Sequence, residues 1–107
     1  MSYSQTKHLH YEVLALTGEV DLHNSPQVRK QLLATLKKGC SVLVDFSALS
    51  YIDSSGIATL VEAFNYAKNN ELTLTIIAAT GAPLQVLELT NLNKVFTMVS
   101  RLDDIRE

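Results

Sequence analysis

The 107-residue chain predicts an α/β fold, a mixed and mainly parallel β-sheet of four to five strands with α-helices packed on it. Three observations predict it. Short apolar runs rich in β-branched residues, at 41–46 and 72–78, have the composition of strands buried on both faces. Longer segments between them repeat apolar residues every three to four positions, the period of a helix with one buried face. The two kinds of segment also alternate, which implies a sheet that becomes parallel, with right-handed helical crossovers.

Each element has its own justification. The stretch 3–10 is polar and reads as an edge strand. Residues 11–16 alternate as a strand does, and Thr17-Gly18-Glu19 closes it. Asn24-Ser25-Pro26 opens a helix, with Ser25 as the cap and Pro26 at the first helical position. Val28, Leu32 and Leu36 then recur every fourth residue, Leu33 widens the stripe, and Gly39 ends the helix. After the strand at 41–46, a turn is expected from Ser47 to Tyr51. A second helix from about Ser54 places Ile57, Leu60, Val61, Phe64 and Ala67 on one face and stops at Asn69-Asn70. The strand at 72–78 follows, and Gly81-Ala82-Pro83 opens a third helix carrying Leu84, Leu87 and Leu89, ending around 91–93. Residues 95–99 form a last strand, and Ser100 with Asp103 forms the capping pair of a short terminal helix.

Composition narrows the function. One domain spanning 1–107 is expected, large enough to fold without a disulfide or a metal. A hydrophobic fraction of 47% against 19% charged residues is that of a globular chain rather than a disordered one. A net charge of −2 gives no electrostatic reason to expect nucleic acid as a partner. The single cysteine, Cys40, excludes an internal disulfide and a multi-cysteine zinc site. The sequence has neither a signal-peptide pattern at its start nor an apolar run near ~20 residues. The expectation is therefore a cytoplasmic protein without direct membrane insertion, and a monomer.

Catalytic constellations are missing. His8 and His10 stand two apart with no acidic or cysteine cluster, so a metal site is not expected. A Ser54–His23–Asp21 triad is imaginable, but a nucleophilic serine normally sits in a Gly-x-Ser-x-Gly elbow, which this chain lacks. The four glycines are scattered and form no phosphate-binding loop. The chain is not expected to be an enzyme, and no cofactor is expected. What stands out is Asp53-Ser54-Ser55-Gly56 at a helix start, where unpaired N–H groups and partial positive charge favour anions. A plain helix cap with a glycine for close packing explains those residues, and so does a phosphoacceptor, with either hydroxyl geometrically suitable.

The motif has company. Gly18-Glu19-Val20-Asp21, then Val42-Leu43-Val44-Asp45-Phe46, then Tyr51-Ile52-Asp53-Ser54-Ser55-Gly56-Ile57 resembles the STAS domain family, in particular bacterial anti-sigma-factor antagonists. Leu89-Thr90-Asn91-Leu92 followed by Val95-Phe96 extends the resemblance over nearly the whole chain. It implies partner switching: the unphosphorylated domain binds an anti-sigma factor that is also a serine kinase and so frees the sigma factor. That kinase then phosphorylates the first motif serine, and a serine phosphatase resets it. The acceptor maps onto Ser54, with Ser55 the second choice, and the partner surface onto Asp21, His23, Asn24, Asp53, Ser54, Ser55, Gly56 and Ile57. The resemblance also admits a different role, a cytoplasmic regulatory subunit of a lipid-transporting ABC complex that needs no phosphate. A dianion on Ser54 would meet the positive end of its own helix while adding to the charge of Asp21 and Asp53. Desolvating such a patch against a partner costs several kcal/mol, so the modification is expected to act at the interface and leave the fold intact.

Overall fold

The computed structural model describes residues 3–105. Its sheet has five strands in sequential order: β1 (Tyr3–His8), β2 (Tyr11–Val20), β3 (Val42–Ile52), β4 (Leu74–Ile77) and β5 (Thr97–Val99). β1 pairs antiparallel with β2, and every other pairing is parallel, as the alternation of elements predicts. Three helices make the crossovers: α1 (Ser25–Lys37), α2 (Ser54–Asn69) and α3 (Gly81–Leu89). With strands added in one direction by crossovers of one hand, the helices collect on one face of the sheet. There Leu32, Leu36, Leu60, Ala63 and Leu87 meet the cross-strand row Leu14, Val44 and Ile76. The opposite face is narrower. Val13, Leu43 and Ile77 lie there beneath Leu102 and Ile105, because the C-terminal segment folds back across it.

Several expectations shift. β2 and β3 run longer than the sequence implies, and the expected turn from Ser47 to Tyr51 is strand. Its pairing with β2 slips twice, first between Ala15 and Thr17 and again between Gly18 and Glu19, with an extra β3 residue each time. Such bulges leave two residues opposing one and add local twist. They keep Phe46, Leu49 and Ile52 buried at every third position, in place of the two-residue period of a regular strand. β3 thus projects beyond the last residue paired with β4, Asp45, and carries its end out beside that of β2.

α2 buries Gly56, Thr59, Leu60, Ala63 and Ala67, while Ile57, Val61 and Phe64 are only partly buried. The face against the sheet is the small-residue face, which lets the helix approach closely. β4 is shorter than expected, and so is β5. No helix caps on Ser100: a single 3₁₀ turn forms at Leu102–Asp104, preceded by Arg101, with no side-chain cap bond. Among the described residues, no helix is long and apolar enough to cross a membrane.

Candidate functional site

β2 and β3 end side by side, and this pairing builds the site. Val20 is registered with Ile52, and the Asp53 N–H donates to the Val20 carbonyl at 3.1 Å. The loop after β2, residues 21–24, and the start of α2 therefore meet at one corner of the molecule.

Asp53 is the N-cap of α2. Its Oδ1 accepts from the Ser55 N–H at 2.9 Å, the Gly56 N–H at 3.2 Å and the Ser55 hydroxyl at 2.5 Å. Three donors on one oxygen favour the carboxylate over the neutral acid. The Ser55 hydroxyl is the main reason the Asp53 carboxyl is held below the usual value, with backbone N–H groups of Gly56, Ser55 and Leu22 adding to it. The Leu22 contribution, the smallest, comes from the neighbouring loop.

The two serines differ. Ser55 is half-buried with its hydroxyl committed to Asp53. Ser54 is exposed, and its hydroxyl makes no hydrogen bond among the described residues. Gly56 is buried, and a Cβ there would lie 2.6 Å from Ile52 Cγ1 and 3.0 Å from Val20 Cγ1. Only glycine lets α2 begin this close to both strand ends, the packing role expected of it.

The loop after β2 is laced by Asn24. Its Oδ1 accepts from the Asp21 N–H, its Nδ2 donates to the Glu19 carbonyl, both at 2.8 Å, and it gives α1 no side-chain cap bond. The expected cap Ser25 is instead the first residue of α1, and it is buried. The Asp21 carboxylate accepts the backbone N–H of His23 at 2.9 Å, so a backbone amide, not a ring nitrogen, occupies that oxygen. His23 and Leu22 are exposed. Asp21, His23, Asn24, Asp53, Ser54, Ser55, Gly56 and Ile57 are thus gathered at one corner, with Gly56 buried beneath the others.

An open groove of about 520 Å³ runs from this corner between α2 and α3, lined by Tyr51, Asp53, Ser54, Ile57, Val86 and Thr90 among others. The α3 wall adds Val86 and Thr90 to the residues expected at this corner. α3 buries Pro83 and Leu87, so Val86, Leu89 and Thr90 fall on its outer side, and Leu89 is 84% exposed. The signal was present as an apolar residue off the buried stripe of a nine-residue helix. Leu22, Tyr51 and Leu89 are exposed large apolar side chains: Tyr51 lines the groove, Leu22 lies in the loop after β2, and Leu89 precedes the groove residue Thr90. The chemistry here is that of a docking surface: apolar anchors around one free hydroxyl and two carboxylates.

His8 and His10 do not share a face, since His8 ends β1 and His10 lies in the hairpin turn, stacked on the Tyr11 ring at 4.8 Å. Among the described residues, no group of three or more His, Cys, Asp or Glu side chains is placed to hold a metal ion.

Known proteins agree with this architecture. The anti-sigma-B factor antagonist of Listeria monocytogenes is 26% identical over 81 residues, 75% of this chain and 71% of that protein. The protein of the same name from Bacillus subtilis is 21% identical over 86 residues, 80% of this chain and 79% of that one. Among solved structures, an anti-sigma factor antagonist from Mycobacterium paratuberculosis matches with a TM-score of 0.83 at 22% identity, covering 95% of this chain and 87% of that one. The phosphorylated form of the Bacillus cell fate determinant SpoIIAA matches with a TM-score of 0.76 at 18% identity, covering 95% and 94%. At such identities the structural likeness establishes the fold. The family model for the STAS domain matches residues 4–105, from the first strand to the last turn, and the chain belongs to the STAS domain family.

Proposed function

We propose that this STAS domain is a cytoplasmic anti-sigma-factor antagonist controlled by phosphorylation of Ser54. Unphosphorylated, it docks its Ser54 corner and groove on an anti-sigma factor that is also a serine kinase, and the sigma factor is released. The kinase transfers the γ-phosphoryl group of ATP to Ser54. The Ser54 Oγ–P bond forms, the β–γ anhydride bond breaks, ADP leaves, and a base on the kinase takes the hydroxyl proton. A serine phosphatase later hydrolyses the ester with water and frees inorganic phosphate.

One observation carries this reading. Of two adjacent hydroxyls, only that of Ser54 is exposed and uncommitted, and it opens onto an apolar groove. A phosphate there leaves the Asp53 cap of α2 in place, whereas a phosphate on Ser55 would break a bond to Asp53. The dianion would sit near Asp53 and Asp21 and oppose burial of the corner against a partner that offers no new cation. The names of the relatives support the same role.

The test is incubation with the cognate kinase and ATP, followed by mass mapping and a binding assay. Phosphate on Ser54, lost in Ser54→Ala and kept in Ser55→Ala, is the expected result, with Ser54→Asp folded but unable to bind the kinase. Binding to a transporter ATPase with no phosphate incorporated from any host kinase would replace this reading with the transporter-subunit role.

A further inference from the structure

A second surface lies on α1. The segment 25–38 holds four of the nine Lys and Arg residues and no carboxylate, while the other five cations are set against eleven carboxylates. Pro26, Arg29, Lys30, Leu33, Ala34 and Lys37 line one shallow groove of about 440 Å³. Arg29 is held by Glu62 of α2 through two bonds of 2.7 and 2.6 Å. Lys30 and Lys37 form no ion pair among the described residues, and Glu62 feels Lys37 only at longer range. α1 has neither an acidic first turn nor a side-chain cap. Its sequence forgoes the cheapest stabilisation a helix start can have and keeps the face cationic. The side-chain cap is given up to the loop after β2, where Asn24 holds Asp21 and Glu19, whereas the absence of an acidic first turn leaves the cations of α1 without a carboxylate on their own helix.

From this segregation we infer that the α1 groove docks an acidic helix of a partner protein. Lys30 and Lys37 are one heptad apart, about 10 Å along the axis, which carboxylates seven residues apart on an opposing helix would match. Leu33 and Ala34 between them give a small apolar floor on which a second helix can lie close. An anionic membrane fits poorly, because the face lacks exposed aromatic or large aliphatic side chains to insert. Nucleic acid is disfavoured by the carboxylates that dominate the rest of the chain. This surface is separate from the Ser54 corner and does not rest on its phosphorylation.

The probe is a synthetic helical peptide with glutamates at i and i+7 flanking a leucine, titrated into the isotopically labelled protein and followed by amide shifts. Shifts should concentrate at residues 26–37, and a scrambled peptide of equal composition should bind about tenfold more weakly. Lys30→Glu with Lys37→Glu should weaken binding about tenfold or more, and the milder Lys30→Gln with Lys37→Gln should do so partially with native-like spectra. Ser54→Asp should leave the titration unchanged, which separates failure here from failure of the partner-switch reading. The inference is overturned by equal binding of the scrambled peptide or by shifts spread over Lys7, Lys68 and Lys94. Stronger α1 shifts with phosphatidylglycerol vesicles or duplex DNA than with the peptide would overturn it as well.

Discussion

α1 and α2 both start where a parallel strand ends, yet their first turns are built in opposite ways. At α2, Asp53 points forward and satisfies the N–H groups of Ser55 and Gly56. At α1, Asn24 points backward and spends its side chain on Asp21 and Glu19. Three residues after each N-cap, α2 has buried Gly56 wedged against Ile52, whereas α1 has exposed Gln27. One start is locked to the sheet, and the other is free to serve its preceding loop. The exposed Ser54 hydroxyl is carried by the locked one.

The largest effect in this comparison is expected at the third helical position. Gly56→Ala should cost about 1–3 kcal/mol through overpacking against Ile52 and Val20. Gln27→Ala should stay within about 0.5 kcal/mol, both measured by urea unfolding. If Gly56→Ala proved as mild as Gln27→Ala, α2 would not be wedged. Removing the caps comes next. Asp53→Ala should cost about 1 kcal/mol, and Asp53→Asn only a few tenths, since an amide oxygen also caps. Asn24→Ala should cost about 1 kcal/mol through the loop rather than the helix, visible as faster amide exchange at Asp21 and His23.

Acid sharpens the contrast further. The folded Asp53 carboxyl is held below its ordinary value near ~4 by the Ser55 hydroxyl and the helix N–H groups. Its stabilisation is therefore fully present above that value and disappears as pH falls through the lower folded one. The stability gap between the native chain and Asp53→Asn should accordingly change between neutral pH and pH ~3. A gap that stays constant would mean the carboxylate is not preferentially bound. Smallest of all, Ser25→Ala should lie within about 0.5 kcal/mol, because Ser25 does not cap α1.

Much of this was legible in residue order. The alternation of apolar runs and helical stripes implied the mixed, mainly parallel sheet, and the motif from Gly18 to Ile57 implied the STAS family. What escaped had physical causes. Ser47 to Tyr51 does not read as strand because the two bulges replace the two-residue alternation of a regular strand with a three-residue period. Ser25 looks like a cap beside Pro26, but Asn24 already has the cap position and its amide is used elsewhere. Ser100 and Asp103 have the spacing of a capping pair, but too little chain is wound after them for a helix to need one. At the site, the helix-start chemistry alone left Ser54 and Ser55 equivalent and only the family resemblance ranked Ser54 first, since the physical difference depends on where one hydroxyl points. Of the α3 wall, residue order offers only Leu89, an apolar residue off the buried stripe; that it lies beside the Ser54 corner is decided by tertiary packing.

The strap formed by Leu102 and Ile105 over Val13, Leu43 and Ile77 has a practical consequence. A protease nick just ahead of Leu102 would bare a strip of aliphatic sheet without touching the Ser54 corner. Clipped molecules would then stick to one another while each still folded, so loss of colloidal solubility in storage should precede any loss of partner recognition.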